Sequence, residues 1–331
     1  MMPMAARILI AAVAFAMMVG HARAQATLEA DAKDYPNRAI RIIVPFPPGG
    51  PADIVARLVG QRMSEDWGQP VVVENRAGGN TAIGAQAAAR SAPDGYTLFV
   101  PMDTTMVMNP LVTPNLPYDP LKDFAPITLL TKNMSLVVVR SDGPKTIKEL
   151  IAKAKANPGK LNMGAGTITS RLGALLFAKR FDVQLVPFKG SAEIGQAVLA
   201  GTVDFALDSS GTSLPLIQAG RYRALAKYSN RPLAILPDVP SLAVAADLPG
   251  LDESSTWVAL VAPAGTAAAI IDRIHREVAS IYADAAMSAK LEKMGILPIA
   301  SSAPAEFDVF IRSETERWSK VFKDSGNIKL D

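Results

Sequence analysis

Short β-branched runs alternate with stretches of helical period along most of this 331-residue chain. The run at residues 40–44 precedes apolar residues at helical spacing between residues 54 and 62, and the run at residues 71–74 precedes an alanine-rich stretch at residues 83–90. Parallel strands separated by helices require right-handed crossover connections, which cover both faces of a sheet with helices. This alternation therefore predicts an α/β fold.

The alternation restarts in the second half of the chain, after a Pro-rich passage at residues 109–126. Strands are predicted at residues 127–130, 136–140, 161–164, 184–187, 203–208, 224–228 and 257–262, and helices at residues 147–156, 171–180, 193–200, 267–283 and 304–324. A chain of this length exceeds one average domain. The two series therefore indicate two α/β units.

The N-terminal segment has the features of a signal peptide. Arg7 precedes an apolar run at residues 8–19, and Ala22-Arg23-Ala24 has the small residues that signal peptidase requires at its cleavage point. The apolar run is shorter than the roughly 20 residues that span a membrane. We therefore expect residues 1–24 to be removed before Gln25 and the product to be exported to the periplasm. Because the chain has no cysteine to acylate, we do not expect a lipoprotein.

Charge and residue usage exclude several classes of function. Lys plus Arg number 34 against 31 Asp plus Glu, without a basic run, so nucleic acid is not an expected partner. The chain lacks cysteine and has two histidines, His21 and His275, of which the first lies in the signal peptide. Thiolate catalysis and multi-histidine metal sites are thereby excluded. We expect no cofactor, no metal and no enzyme activity, and we expect His275 on a helix surface.

The loop PFPPGGPAD at residues 45–53 is the first candidate site. Gly49 and Gly50 lie between a predicted strand and a helix N-terminus, where backbone N–H groups without helical partners can bind an anion. Pro51 suits the first helical position, and Asp53 in the first turn can accept hydrogen bonds from exposed amides. A rigid turn with a helix cap explains the same residues without a ligand, and the sequence leaves both interpretations open.

The segment GAGTITS at residues 164–170 also joins a predicted strand to a helix. Thr169 replaces the third glycine of the dinucleotide-binding pattern G-x-G-x-x-G, which argues against a nucleotide. The hydroxyls of Thr167, Thr169 and Ser170 can donate to an oxyanion or cap the helix. Asp208 ends another predicted strand, and it too could have either a ligand-binding or a capping role. Its position favours a ligand slightly, because ligands of α/β sheets collect at the carboxyl ends of strands.

Ten segments that carry a family resemblance extend through almost the whole mature chain. In order, they are YPNRAIRIIVPFPPGGPADIVAR, VVVENRAGGNTAIGA, PDGYTL, LPYDPLKDFAPIT, KANPGKLNMGAG, VPFKG, GTVDFALD, IQAGRYRALA, LPDVPSL and APAGT. In this order and spacing, the segments resemble the Bug family, the extracytoplasmic solute-binding receptors of tripartite tricarboxylate transporters.

The resemblance implies a type II periplasmic-binding-protein fold, in which two crossover strands join two α/β lobes around a ligand cleft. It implies that lobe 1 comprises residues 25–135 plus 254–331 and that lobe 2 comprises residues 136–253. The implied ligand is a small organic carboxylate. The positions that correspond to the family's ligand-facing residues are Phe46, Gly49, Gly50, Pro51, Ala52, Asp53, Thr104, Thr167, Thr169, Ser170 and Asp208.

Departures from the family pattern leave the identity of the carboxylate open. Many relatives have Ser or Thr in place of Ala52, often have His in place of Arg171, and often have a His-containing segment near residues 103–105. The implied partners are membrane permease subunits of a tripartite transporter, and we expect a monomer. Two alternatives share the cleft: an exported α/β enzyme that acts on a small carboxylic acid, and a receptor that feeds a membrane sensor kinase.

Overall fold

The computed structural model describes residues 34–229, 233, 235–247, 255–294, 296–301 and 303–324. The predicted signal peptide at residues 1–24, its cleavage before Gln25 and the predicted lobe boundary between residues 253 and 254 lie outside these ranges. Within them, strands and helices alternate along the chain, and the predicted α/β fold is confirmed.

The first part of the chain forms strands that are separated by helices. In chain order, the elements are β1 (Ile40–Val44), α1 (Pro51–Trp67), β2 (Val71–Asn75), α2 (Ala82–Ala89), β3 (Thr97–Phe99), a π-helical turn (Thr104–Met108) and α3 (Asn109–Val112). Helix α1 has Pro51 at its start and ends at Gly68, whose φ of 65° is left-handed. Proline and glycine thus set the two ends of α1.

The second part continues the alternation and returns to long helices at its end. Its elements are β4 (Phe124–Arg140), α4 (Ile147–Ala156), β5 (Asn162–Ala165), α5 (Ile168–Phe181), β6 (Gln184–Pro187), α6 (Ser191–Ala200), β7 (Phe205–Ser209), α7 (Ser210–Gln218), β8 (Tyr222–Lys227), α8 (Leu242–Ala246), β9 (Ser255–Pro263), α9 (Ala268–Ala283), α10 (Ala285–Lys293), β10 (Leu297–Pro298) and α11 (Pro304–Asp324).

The described strands form two sheets that share one strand. In the first sheet the order is β2-β1-β3-β9-β4, with β10 also paired to β4, and β1 is parallel to both β2 and β3. In the second sheet the order is β4-β7-β5-β6, with β8 also paired to β4, and β5 is parallel to both β6 and β7. Strands β4 and β9 are antiparallel to their neighbours.

Strand β4 is the physical link between the sheets. Its residues from Phe124 to Met134 pair with β9, and its residues from Ser135 onward pair with β7 and β8. The sequence predicts two separate strands at residues 127–130 and 136–140, and this prediction is wrong because the structure joins them in one 17-residue strand. Polar residues 131–133 interrupt the apolar pattern there, although their backbones remain paired to β9.

Both faces of each sheet are buried. The neighbouring residues Ile42 and Ile43 of β1 belong to different hydrophobic clusters, and so do Val137 and Val138 of β4. Successive side chains of a strand point to opposite faces, so each sheet has an apolar cluster on either side. This explains why the strands have continuous apolar runs rather than alternating polar and apolar residues. Each fully buried Ile or Val contributes about 1.5–3 kcal/mol of stabilisation.

The structure corrects two further expectations. His275 is not on a helix surface: it is 9% exposed, and its Nε2 lies 2.8 Å from the carbonyl oxygen of Ser301. The segment after β10 covers that side of α9, which the helical pattern of α9 alone does not reveal. Helix α10 is not predicted from the sequence, because only Met287 and Leu291 of its nine residues are buried. Among the described helices, none is both long and apolar enough to cross a bilayer.

Candidate ligand-binding cleft

Four helices from the two sheets begin at one cavity. Helix α1 of the first sheet and helices α5, α6 and α7 of the second sheet each follow directly after a strand. The residues immediately before these helices all line the cavity: Gly50, Thr167, Gly190 and Ser209. The first N–H groups of an α-helix have no carbonyl partner within the helix, and the helix dipole makes this end positive. The cavity is therefore an electrostatically favourable place for an anion.

Local sequence explains how each helix starts there. Gly49, at a φ of 84°, turns the chain between β1 and α1 in a conformation that favours glycine. The hydroxyl of Thr167 accepts a hydrogen bond from the backbone N–H of Ser170 at 3.2 Å, which caps α5. The hydroxyl of Ser209 accepts from the N–H of Gly211 at 3.4 Å, which caps α7. Helix capping and approach to a ligand thus occur in the same segments.

The cavity has walls from both sheets and offers about 40 Å³ for the centres of water-sized molecules. Its apolar walls include Phe46, Pro47, Met102, Ile194 and Leu207, and its hydroxyl groups come from Ser135, Ser170, Ser191, Ser209 and Thr256. An apolar enclosure with a few convergent polar groups is the usual character of a small-molecule site.

Asp208 is an acid inside this cavity wall. It is 3% exposed, and its Oδ2 accepts hydrogen bonds from the hydroxyls of Thr212 at 3.0 Å and Ser213 at 2.9 Å. Burial raises the pKa of Asp208, and hydrogen bonds from the surrounding hydroxyls and one backbone amide only partly offset this rise.

A second cavity, with about 240 Å³ for the centres of water-sized molecules, adjoins the first and shares Phe46, Pro47, Gly166 and Thr167 with it. The loop at residues 77–81 lines its far side, and Arg171 and Lys189 supply positive charge. The Nε of Arg171 and the hydroxyl of Thr104 are buried without a hydrogen-bond partner among the described residues. Burial also lowers the pKa of the Arg171 guanidinium, a cost that a nearby anion would offset.

Asp53 organises the loop between β1 and α1 rather than facing either cavity. Its Oδ2 accepts from the Gly49 N–H at 2.9 Å, and its Oδ1 accepts from Asn75 Nδ2 at 2.9 Å and pairs with Arg57 at 2.9 Å. Asn75 also donates to the carbonyl oxygen of Phe46 at 3.0 Å. Burial alone would raise the pKa of Asp53, but these hydrogen bonds outweigh it and hold the pKa below its usual range.

The candidate residues from the sequence divide into three groups. Those lining the first cavity are Phe46, Gly50, Pro51, Ala52, Thr167, Ser170 and Asp208. Thr104 lines the second cavity. Gly49, Asp53 and Thr169 line neither, and the hydroxyl of Thr169 donates to Asp103. Sequence reasoning missed Gly190 and Ser191 at the start of α6, although they directly follow a predicted strand in the same way.

The two sides of the cleft touch each other. A Cβ placed on Gly49 would lie 3.8 Å from the Cβ of Ala192, and a Cβ placed on Gly190 would lie 3.8 Å from Cδ of Pro47. Asp103 and Thr169 form a hydrogen bond across the same boundary. These contacts join elements of the first sheet to elements of the second, so the cleft is closed in this structure.

The family comparison matches residues 55–327 to a family described as "Tripartite tricarboxylate transporter family receptor". The chain is similar to a UPF0065 protein in the tcbD-tcbE intergenic region of Pseudomonas sp. (strain P51), with 38% identity over 320 residues that cover 95% of this chain and 93% of that protein. It is also similar to Protein BugT of Bordetella pertussis (strain Tohama I), with 33% identity over 304 residues that cover 89% of this chain and 91% of that protein.

Two solved structures are also similar to this chain over most of its length. A protein of R. palustris with adipate has a TM-score of 0.83 and 32% identity, covering 88% of this chain and 99% of that chain. MatC from Rhodopseudomonas palustris with bound malate has a TM-score of 0.79 and 31% identity, covering 87% of this chain and 99% of that chain.

The hydrogen bonds of Asp53 predict how the loop responds to acid. We expect Asp53→Asn to lower the free energy of unfolding by about 2 kcal/mol at pH 7, because the ionised carboxylate accepts charge-assisted hydrogen bonds. A carboxyl with a lowered pKa stabilises the fold above its unfolded pKa of about 4 and loses this effect as pH falls through its folded pKa. Urea unfolding at pH 7 and pH 3 measures the difference, which should shrink in acid.

The matched control is Asp308→Asn, which removes an exposed i,i+4 ion pair with Arg312. Its effect should stay within about 0.5 kcal/mol at both pH values. Equal losses for the two variants, or a loss at Asp53 that does not change with pH, would contradict the assigned role of Asp53.

Proposed function

The chain belongs to the tripartite tricarboxylate transporter receptor family, and on that premise we propose that it captures a small organic carboxylate by closing its two lobes and delivers it to the membrane subunits of a tripartite transporter. Members of this family are periplasmic binding receptors and not enzymes, so the expectation of a non-enzymatic role and the resemblance to the Bug family are both confirmed. The two-lobed periplasmic-binding-protein fold is likewise confirmed.

The convergence of four helix N-termini on one cavity is the observation that carries the proposal. A carboxylate taken from water into an apolar enclosure loses much of its hydration, which is costly unless other groups replace it. Backbone N–H groups and aligned helix dipoles do so without a counter-charge, at about 0.3–1 kcal/mol for each helix and more in a buried geometry. Relatives with adipate and malate support a ligand of this class.

We assign the ligand contacts to the residues that line the two cavities. The backbone of Gly50 and Ala52 and the hydroxyls of Thr104, Thr167 and Ser170 present donors, while Phe46, Pro51 and Asp208 shape the enclosure. Gly49, Asp53 and Thr169 act indirectly, by fixing the loop before α1 and the start of α5. Arg171 and Lys189 provide an additional cationic side for a ligand with a second anionic group.

We also propose the lobe boundaries and the location of the protein. Lobe 1 comprises residues 25–135 plus 254–331, and lobe 2 comprises residues 136–253; the change of pairing partner in β4 after Met134 supports the first boundary. The features of residues 1–24 support export, cleavage before Gln25 and a periplasmic product that is not a lipoprotein. We expect this product to act as a monomer that docks on its permease.

A panel of ligands tests the proposed class directly. Protein refolded to remove any bound solute is heated with adipate, malate, citrate, benzoate or glutamate, each paired with its methyl ester. A ligand that binds only the folded state adds RT ln(1 + [L]/Kd), about 2.7 kcal/mol at a hundredfold excess over Kd. We expect at least one acid to raise the Tm by several degrees while its ester does not. Stabilisation by neutral sugars or cations, with none by any carboxylate, would contradict the proposal.

Gly50 tests the seat of the carboxylate. Gly50 has an ordinary φ of −85°, and a Cβ there would find its nearest heavy atom, the Pro47 carbonyl oxygen, at 4.0 Å. Gly50→Val should therefore keep the fold while its side chain enters the first cavity, and we expect calorimetric affinity for the acid to fall at least about tenfold. Gly195→Val is the control, because its Cβ would lie 3.8 Å from Tyr222 Oη, away from both cavities. Wild-type affinity in a folded Gly50→Val would place the ligand elsewhere.

A further inference from the structure

Asp103 is a buried acid that connects the two sides of the cleft. It lies between β3 and the π-helical turn, next to the first sheet, and it is 0% exposed. Its Oδ2 accepts a hydrogen bond from the hydroxyl of Thr169, which is 1% exposed and lies in the first turn of α5 beside the second sheet. Because neither residue lines either of the two cavities described above, this pair joins the lobes without depending on direct contact with a ligand there.

Among the described residues, no salt bridge pairs Asp103 with a cation. Glu314 of α11 is the charged side chain whose field acts on it, and Glu314 is itself held by two hydrogen bonds of 2.9 Å from Arg317. Arg171 of α5 directs its Nη2 to the Phe188 carbonyl oxygen at 3.3 Å and lines the second cavity. Backbone hydrogen bonds from Trp257 of β9 and from Thr104 also act on Asp103, and both lower its pKa.

Burial is the dominant influence on this carboxyl. It raises the pKa of Asp103 to about 7; the hydrogen bond from Thr169 opposes the rise, and the charge of Glu314 adds to it. An aspartate in water has a pKa of about 3.9. Separation of the lobes would withdraw Thr169 and let water reach Asp103 from the cleft, since the adjacent Thr104 lines the second cavity.

We propose that Asp103 and Thr169 form a proton-linked latch, in which the lobes close with Asp103 neutral, so that capture of a carboxylate takes up a proton from solution. The proposal rests on the proposed function, because the latch acts through closure over the ligand. A carboxylate bound near Thr104 adds negative charge, which strengthens the preference for neutral Asp103 in the closed state.

The direction of the pH dependence follows from linkage. The closed state keeps its proton to a higher pH than the open state, so closure binds protons wherever the pH lies between the two pKa values. As the pH rises through this window, the equilibrium constant for lobe closure falls by up to about tenfold per pH unit. The fall levels off above the pKa of the closed state.

Calorimetric titration with adipate and with malate tests the latch in wild type, Asp103→Asn and Asp308→Asn. Heats are measured at pH 5.5, 7 and 8.5 in two buffers of different ionisation enthalpy, which gives the number of protons taken up. We expect the ratio of wild-type to Asp103→Asn affinity to fall about tenfold or more between pH 5.5 and 8.5. Dividing the wild-type affinity by the affinity of Asp103→Asn cancels the effect of the ligand's own titration. Asp308→Asn, on the exposed side of α11, should behave as wild type.

Two outcomes overturn the latch: no pH dependence of that affinity ratio, or equal proton uptake by wild type and a folded Asp103→Asn. If Asp103→Asn does not fold by circular dichroism, Asp103→Ser replaces it as a second variant without a titrating group. If an acid binds but wild type and Asp103→Asn take up the same number of protons, the latch is rejected and the proposed function is unaffected.

A ligand-free measurement decides the latch even if neither acid binds. Small-angle scattering of the unliganded protein should then show a radius of gyration that increases from pH 5.5 to 8.5 in wild type and stays constant in Asp103→Asn. Equal pH profiles for the two proteins would reject the latch. Absence of binding by every carboxylate would instead reject the proposed function, so the two failures are distinguishable.

Discussion

The positive ends of four helices meet at one cavity, and the arrangement of both sheets is what brings them there. In a parallel βαβ unit the chain leaves each strand at its carboxyl end and enters the next helix at the same edge of the sheet. Helix α1 reaches the cavity from the first sheet, and α5, α6 and α7 reach it from the second. Because β4 runs continuously through both sheets, these two edges face each other across the cleft. An anion between them is held by fixed dipoles that need no reorganisation.

Three aspartates around the cleft lie in different environments and have different roles. Asp53 stays ionised through its bonds to Gly49, Asn75 and Arg57, and it holds the loop before α1 in place. Asp208 lies in the cavity wall, where burial raises its pKa against the hydrogen bonds that lower it. Asp103 lies at the contact between the lobes, where the same physical effect couples closure to proton uptake. The three aspartates therefore differ in pKa because their burial and their hydrogen-bond donors differ.

Local patterns in the sequence were sufficient for most elements and for three of the four helix starts. Glycine, proline, hydroxyl and acidic residues at the ends of strands identified Gly50, Thr167 and Asp208, because turn geometry and capping are local. The continuity of β4 was not predictable, since residues 131–133 are polar and their strand conformation depends on pairing with β9. The burial of His275 depends on the segment that ends at Ser301, and the pairing of Asp103 with Thr169 joins residues 66 positions apart. Contacts of this kind require the tertiary structure.

The most direct test of a carboxylate-driven closure is a cross-link between the two sides of the cleft. The chain has no cysteine of its own, and the separation of 3.8 Å between a Cβ on Gly49 and the Cβ of Ala192 matches the spacing in a disulfide. Because Gly49 has a φ of 84°, Gly49→Cys/Ala192→Cys is used only after circular dichroism shows a wild-type fold, and the rate of disulfide formation under a mild oxidant then reports how often the lobes close. We expect a carboxylate that stabilises the wild-type protein to accelerate this cross-link, whereas its methyl ester should not. An unchanged rate at saturating carboxylate, or faster cross-linking with the ester, would contradict carboxylate-driven closure.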